Sequence, residues 1–139
     1  MDNVVKTLRI LQMAMLVSIV LYVGILVRVA QQVSNSPNSV VLIAIMFLSV
    51  MNVGVILVIR RQFVARAEAA LRDNPADAPA LVPWRAGYIA TCEIAESIAL
   101  FGLVLRLVGF SLAQAAPFFI AAFVIILFFR PLRPSIAVG

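Results

Sequence analysis

Two glutamates and a serine stand inside an apolar stretch of the chain. Glu93, Glu96 and Ser97 belong to the segment CEIAESIALFGLVLRLVG, whose only other charged residue is Arg106. Residues three apart on a helix point the same way, which makes the two carboxylates neighbours. In a low-dielectric medium, two neighbouring carboxylates disfavour double ionisation and need a proton, a small cation or another helix to neutralise them. The spacing predicts either a site for a proton or a small cation, or a polar contact that holds helices together.

The composition places these acids in a membrane protein. Apolar residues make up 64% of the 139 residues and charged residues 12%, a balance that is too apolar for a water-soluble domain of this size. We expect an all-α fold, an integral membrane four-helix bundle that forms a single domain over residues 1–139. The helices are expected at about 8–30, 39–72, 84–109 and 112–130, with a cytoplasmic loop at 73–83.

The distribution of basic residues predicts the orientation. If four spans alternate across the bilayer, nine of the 11 Lys and Arg residues fall on one side, and only Arg28 and Arg106 fall on the other. Basic loops remain in the cytoplasm, so both termini are predicted to be cytoplasmic, in the cytoplasmic membrane of a bacterium. The net charge of +5 is then explained by a basic rim at the lipid headgroups, and nucleic acid is not an expected partner.

The residue types argue against an enzyme. The chain has no histidine and a single cysteine, Cys92, and no ligand spacing typical of a metal site. The hydroxyl and thiol groups near the acids have no histidine or lysine base beside them. We therefore predict no catalytic residues, no metal and no cofactor.

Polar residues in the second helix are expected to face other helices. Ser49 and Asn52 are of the kind that form hydrogen bonds between membrane helices. Counted at about 1.5 Å per residue from the helix ends, Asn52 lies level with Glu93, which predicts a hydrogen bond between these two side chains. Asn38 is a candidate N-cap for this helix, while Ser111 and Gln114 have the spacing of a capping box for the fourth.

The segment ESIALFGLVL resembles the ion-carrying helix of the proteolipid (c) subunits of rotary ATPases. In this resemblance Glu96 takes the place of the carboxylate that binds the transported ion, and Ser97 that of a hydroxyl ligand in sodium-binding members. The positions that follow the acid are matched by Phe101, Gly102, Leu103 and Val104. Arg60 to Gln62 resemble the polar loop of that family. The first two helices, however, lack the repeated glycines with which those proteins pack an inner ring.

Two functions remain open from the sequence. In the first, the chain is a small proteolipid-like membrane subunit in which Glu96, assisted by Glu93 and Ser97, binds a proton or a sodium ion within an oligomer. In the second, it is an accessory or structural subunit of a larger membrane complex, and the acids only hold helices together. The expected partners are the lipid bilayer and either other membrane subunits or further copies of the chain.

Overall fold

In a computed structural model, which describes residues 2–29 and 38–131, the chain is helical and these residues form no strand. The helices are α1 (Asp2–Val29), α2 (Ser39–Ile59), a π-helical segment (Arg60–Val64), α3 (Ala65–Asp73), α4 (Ala78–Leu107) and α5 (Leu112–Phe128). The predicted turn through Pro37, the end of the first predicted helix at Ala30, and Arg133 lie outside the described residues.

Within residues 2–29 and 38–131, three helices are long and apolar enough to cross a membrane: Asp2–Arg28, Ser39–Asp73 and Ala78–Leu107. The apolar α5 has 17 residues and is about 25 Å long at 1.5 Å per residue, somewhat less than the hydrocarbon thickness of about 30 Å. The described residues thus confirm the predicted all-helical chain, and their long apolar helices agree with the predicted multi-pass membrane protein.

The second predicted helix is one continuous rod that contains a π-helical turn. α2, the π segment and α3 follow one another without a break, and the Ala65 N–H donates to the carbonyl of Arg60 in place of that of Arg61. A π turn holds one extra residue and is common at functional sites in helices. Arg60 to Gln62, which the family resemblance places in a polar loop, lie in this helical turn.

Helix α4 begins earlier than predicted, and this corrects the third helix and the loop at 73–83. The Asp77 side chain caps α4 by accepting from the Ala80 N–H at 3.4 Å. Pro79 occupies the first turn, where a proline costs no intrahelical hydrogen bond, and Pro83 follows one turn later. These two prolines therefore lie within the first turns of α4, where the sequence predicts a loop.

The other predicted helix ends agree more closely. The Asn38 side chain accepts from the Val40 N–H, and Ser111 and Gln114 form the full capping box, as predicted. Gly109 follows the end of α4 with a φ of 107°, a conformation that glycine adopts without strain.

Helix α4 is the element against which the others pack. It contacts α1, α2, the π segment, α3 and α5. One apolar cluster joins α4 with α1, α2 and α5 along most of their length. A second cluster, which we call the basal cluster, surrounds Trp84. Its other members are Val5, Leu8, Val64, Ala67, Leu71, Ala80 and Tyr88.

The basal cluster shows that several helix ends meet. It brings the first turns of α1, the π segment with α3, and the start of α4 to one end of the molecule. The C-terminus of α5 lies at the same end, because the Arg60 guanidinium carbon is 4.2 Å from the ring centre of Phe129. Most of the basic residues assigned to one side of the membrane therefore lie near each other in space.

Candidate functional site

The acids of the predicted site lie in the middle of α4, far from either end of the helix. Glu93 and Glu96 are the sixteenth and nineteenth of its 30 residues. The side chain of Glu93 is exposed, whereas those of Glu96 and Ser97 are half-buried. Counted from Arg85 at about 1.5 Å per residue, the two acids lie roughly 12 and 16 Å along the helix axis. The structure places Arg85 and both acids in one continuous helix, and their depth in a bilayer stays a prediction.

The carboxylate of Glu96 is held by a hydroxyl group from another helix. Tyr22 of α1 donates its phenolic O–H to Glu96 Oε1 at 2.9 Å. A hydrogen bond to one carboxylate oxygen fixes the rotamer of the acid while it leaves the second oxygen available. Tyr22 is thus a site residue that sequence reasoning missed, since nothing in the local pattern of α1 shows which face meets α4.

The polar contact predicted between Asn52 and Glu93 is not formed. Within the described residues these two side chains share no hydrogen bond, and the helical contact to the acid pair comes from α1 instead of α2. Ser49 is buried, and its hydroxyl donates to the Ile45 carbonyl of its own helix at 2.9 Å. The general role of Ser49 and Asn52 in contacts between helices stays a prediction for an assembly with further chains.

Ser97 is close in sequence to both acids but is engaged elsewhere. Its hydroxyl donates to the backbone carbonyl of Glu93 at 3.0 Å, a bond within one helical turn. The oxygen retains its capacity to accept a hydrogen bond or to ligate a cation. Ser97 therefore directly follows Glu96, as in the sodium-binding proteolipids that the segment resembles, and its hydroxyl proton is bonded to the helix backbone. Its role as a ligand stays a prediction.

Within the described residues, Glu93 lies on a face of α4 that no other helix covers, and Glu96 lies at the edge of this face toward α1. We call this the open face, and it is formed by Ala86, Glu93, Ser97, Leu100 and Val104. Its apolar members are strongly exposed, Leu100 at 39% and Val104 at 43%. The opposite face of α4 is fully packed, with Ala95 and Ala99 inaccessible to solvent. A carboxylate thus stands among apolar side chains on an uncovered surface.

This arrangement is costly for one chain alone in a bilayer. An ionised carboxylate near the bilayer centre costs about 2.5–3.5 kcal/mol or more, so ionisation of both acids would cost about 5–7 kcal/mol. The phenolic hydrogen bond offsets only part of that cost, because hydrogen bonds between membrane helices contribute about 0.6 kcal/mol on average. A proton, a cation or a neighbouring chain must supply the remainder.

A second polar cluster connects the C-terminal ends of α2 and α5 with α3 and α4, and its geometry is not predictable from the sequence. The guanidinium of Arg60 lies over the rings of Tyr88 and Phe129, at 5.0 and 4.2 Å from their centres. Tyr88 in turn donates its hydroxyl to Glu68 Oε1 at 3.1 Å. Cation–π contacts are strengthened by desolvation, so Arg60 acts here as a structural element. The only local indication in the sequence is that aromatic residues, Tyr88 and Phe129, lie near the start of α4 and the end of α5.

One further polar contact joins α1 to α5. Gln12 is buried, and its Nε2 donates to the Ile126 carbonyl at 2.6 Å. The last carbonyls of a helix have no partner within it, and Gln12 satisfies one of them. Gln12 therefore holds helix ends together and lies more than two turns from Tyr22, the residue that contacts Glu96.

The part of the chain that the structure describes contains no group of three or more side chains suited to hold a metal ion. Among the described residues, the side-chain oxygens at the open face and beside it are the carboxylates of Glu93 and Glu96, the hydroxyl of Ser97 and the phenol of Tyr22. This set can carry a proton, and it provides part of the oxygen ligands of a small monovalent cation. Comparison of the chain with protein families, with curated proteins and with solved structures finds no match.

Proposed function

We propose that this chain is a small integral membrane subunit with intramembrane carboxylates that bind a proton or a sodium ion within an oligomeric assembly. The observation that carries the proposal is the geometry of the acid pair. Glu96 is oriented by Tyr22 across a helix interface, and Glu93 stands one turn away on the adjoining open face. An acid fixed in direction, with one oxygen left available, is suited to reversible binding of a small cation.

The proposal includes the orientation and the surroundings of the site. The chain forms a four-span bundle, with the end that carries the basal cluster in the cytoplasm, since the basic residues gather there. The open face of α4 packs against a neighbouring subunit, either a further copy of this chain or another membrane protein. That contact removes the acids from lipid, completes the ligand set, and explains why exposed Leu100 and Val104 flank them.

The second candidate function has an observation of its own. The hydrogen bond from Tyr22 to Glu96 joins α1 to α4, which is what an acid that only holds helices together would do. In this alternative the chain is an accessory or structural subunit and moves no ion. Neither candidate is proposed as an enzyme.

A carboxyl-modifying reagent tests the main proposal. A hydrophobic carbodiimide reacts with a protonated carboxyl group in an apolar setting, and we expect it to modify Glu96 in the membrane-embedded protein. Mass spectrometry of the intact and digested chain identifies the modified residue. Sodium is expected to slow the reaction, because the bound cation replaces the proton. Glu96→Gln removes the modification, while Asp73→Asn, at the exposed end of α3, leaves it unchanged.

The same variants separate the two candidates. The amide oxygen of Glu96→Gln still accepts from Tyr22, so a purely structural acid predicts an unchanged assembly and no protection by sodium. Tyr22→Phe removes the donor and is then expected to destabilise the protein by about 0.6–1.7 kcal/mol. Modification of Glu96 at a rate that neither sodium nor rising pH changes would exclude the ion site and favour the structural role.

A further inference from the structure

The π-helical turn arranges two arginines on the outside of the molecule. Arg61 and Arg66 are exposed, while Val64 and Ala67 of the same rod point into the basal cluster. In a regular α-helix, residues five apart differ by about 140° around the axis. A π turn has hydrogen bonds between residues five apart, which reduces the angle between such residues around the axis. The extra residue therefore places the two guanidinium groups on one side of the rod.

The two arginines share a groove. An open cavity of about 450 Å³ is lined by Val58, Arg61, Gln62 and Arg66. The lining contains two cations and an amide but no acid. The nearest acid along the rod, Glu68, accepts from Tyr88 on the inner side. Within the described residues, neither Arg61 nor Arg66 forms an ion pair.

We propose that this groove binds the phosphate of an anionic phospholipid. Arginine presents a planar fork of donors that matches phosphate oxygens, and the Gln62 amide adds a further donor at the same place. The position along the rod favours a lipid over free phosphate. The groove starts where the apolar α2 ends, so a phosphate held there has its acyl chains directed along α2.

The surface of α2 next to the groove suits such chains. Val55, Leu57 and Val58 are exposed at 43%, 57% and 53%, and they form apolar surface immediately below the arginines. An ion from solution would gain nothing from these side chains, whereas a lipid buries its chains against them. The π turn thus assigns to this chain a headgroup site that a straight helix would divide between two faces.

Binding of single lipid molecules to the full chain in neutral detergent tests the inference. Phosphatidylglycerol, phosphatidylcholine with the same acyl chains, and inorganic phosphate are each titrated, and native mass spectrometry gives the dissociation constants. Phosphatidylglycerol is expected to bind more tightly than phosphatidylcholine. The double variant Arg61→Gln, Arg66→Gln is expected to weaken the binding of phosphatidylglycerol by about 25-fold, since each basic side chain near an anionic headgroup contributes about fivefold to the affinity.

The matched control removes the same charge at the same end of the molecule. Arg72→Gln with Arg85→Gln changes two exposed arginines outside the groove and is expected to weaken binding by less than about threefold, because diffuse attraction is small in neutral micelles. Equal losses in the two double variants would overturn the site, as would equal binding of the two lipids. Inorganic phosphate that binds as tightly as phosphatidylglycerol would overturn the lipid as the occupant.

Discussion

Trp84→Ala is expected to destabilise the protein by about 3–5 kcal/mol, because removal of a large buried aromatic side chain loses its contacts and leaves a cavity. Trp84 is inaccessible to solvent and packs edge-on against Tyr88, with ring centres 5.0 Å apart. It lies where the start of α4 meets α1 and the rod formed by the π segment and α3. The loss is measured by chemical unfolding in detergent micelles, monitored by helical circular dichroism.

The indole of Trp84 offers a matched control. Its Nε1 is buried, and the described residues provide it with no hydrogen-bond acceptor. Trp84→Phe therefore keeps an aromatic ring in the cluster and sacrifices no hydrogen bond, so a loss below about 1.5 kcal/mol is expected. A Trp84→Ala protein as stable as the wild type would mean that the basal cluster does not hold these helix ends together.

Gly87→Ala is the second substitution with a large expected effect. A Cβ atom at Gly87 would lie 2.5 Å from Cγ2 of Val64, closer than two carbon atoms can approach. Val64 is a β-branched residue with a stiff side chain and is itself fully packed, so it cannot turn away. We expect a loss of about 1–3 kcal/mol from overpacking, measured by the same unfolding experiment.

Two comparisons make the Gly87 result specific. Nothing lies within 4 Å of a Cβ atom at Gly54, so Gly54→Ala should be neutral or stabilising by up to about 1 kcal/mol, as alanine favours a helix interior. Val64→Ala combined with Gly87→Ala should recover part of the loss. If Gly87→Ala behaves like Gly54→Ala, the π segment does not pack against α4 as described.

Much of the local structure is predictable from the sequence. Apolar runs identify the membrane helices, and the caps at Asn38 and Ser111 follow from side chains whose oxygens accept from nearby N–H groups. The depth of Glu93 and Glu96 along α4 follows from helical rise alone. Each of these features depends on residues only a few positions apart, or on one regular repeat.

The features that the sequence did not predict depend on contacts between distant residues. Tyr22 and Glu96 are 74 positions apart, and Gln12 reaches Ile126 across 114. Helical periodicity shows which residues share a face of a helix, but not which neighbouring helix that face contacts. Nor does it reveal the π turn, because an additional residue in a helix has no local signature in the sequence. Val64 of this turn packs against Gly87 of α4, a contact between distant residues.

The same limit explains the error at the acid pair. The sequence predicts a pair between Asn52 and Glu93 because both lie at one height along their helices, but equal height leaves the rotation of α2 about its axis undetermined. Packing decides that rotation: Ile45, Ser49 and Ile56 are the buried residues of α2. Asn52 remains only half-buried, and α1 instead provides the polar group that contacts the acids.

In the proposed function, Glu93 and Glu96 are held at membrane depth and a proton or a cation neutralises them. Infrared spectroscopy of the protein in lipid bilayers tests the protonation of the two acids directly, because a protonated carboxylic acid and a carboxylate absorb at different frequencies. At neutral pH without sodium, we predict an absorption of a protonated acid that disappears when Glu93→Gln and Glu96→Gln are combined. A spectrum in which both acids are fully ionised under these conditions would contradict the account.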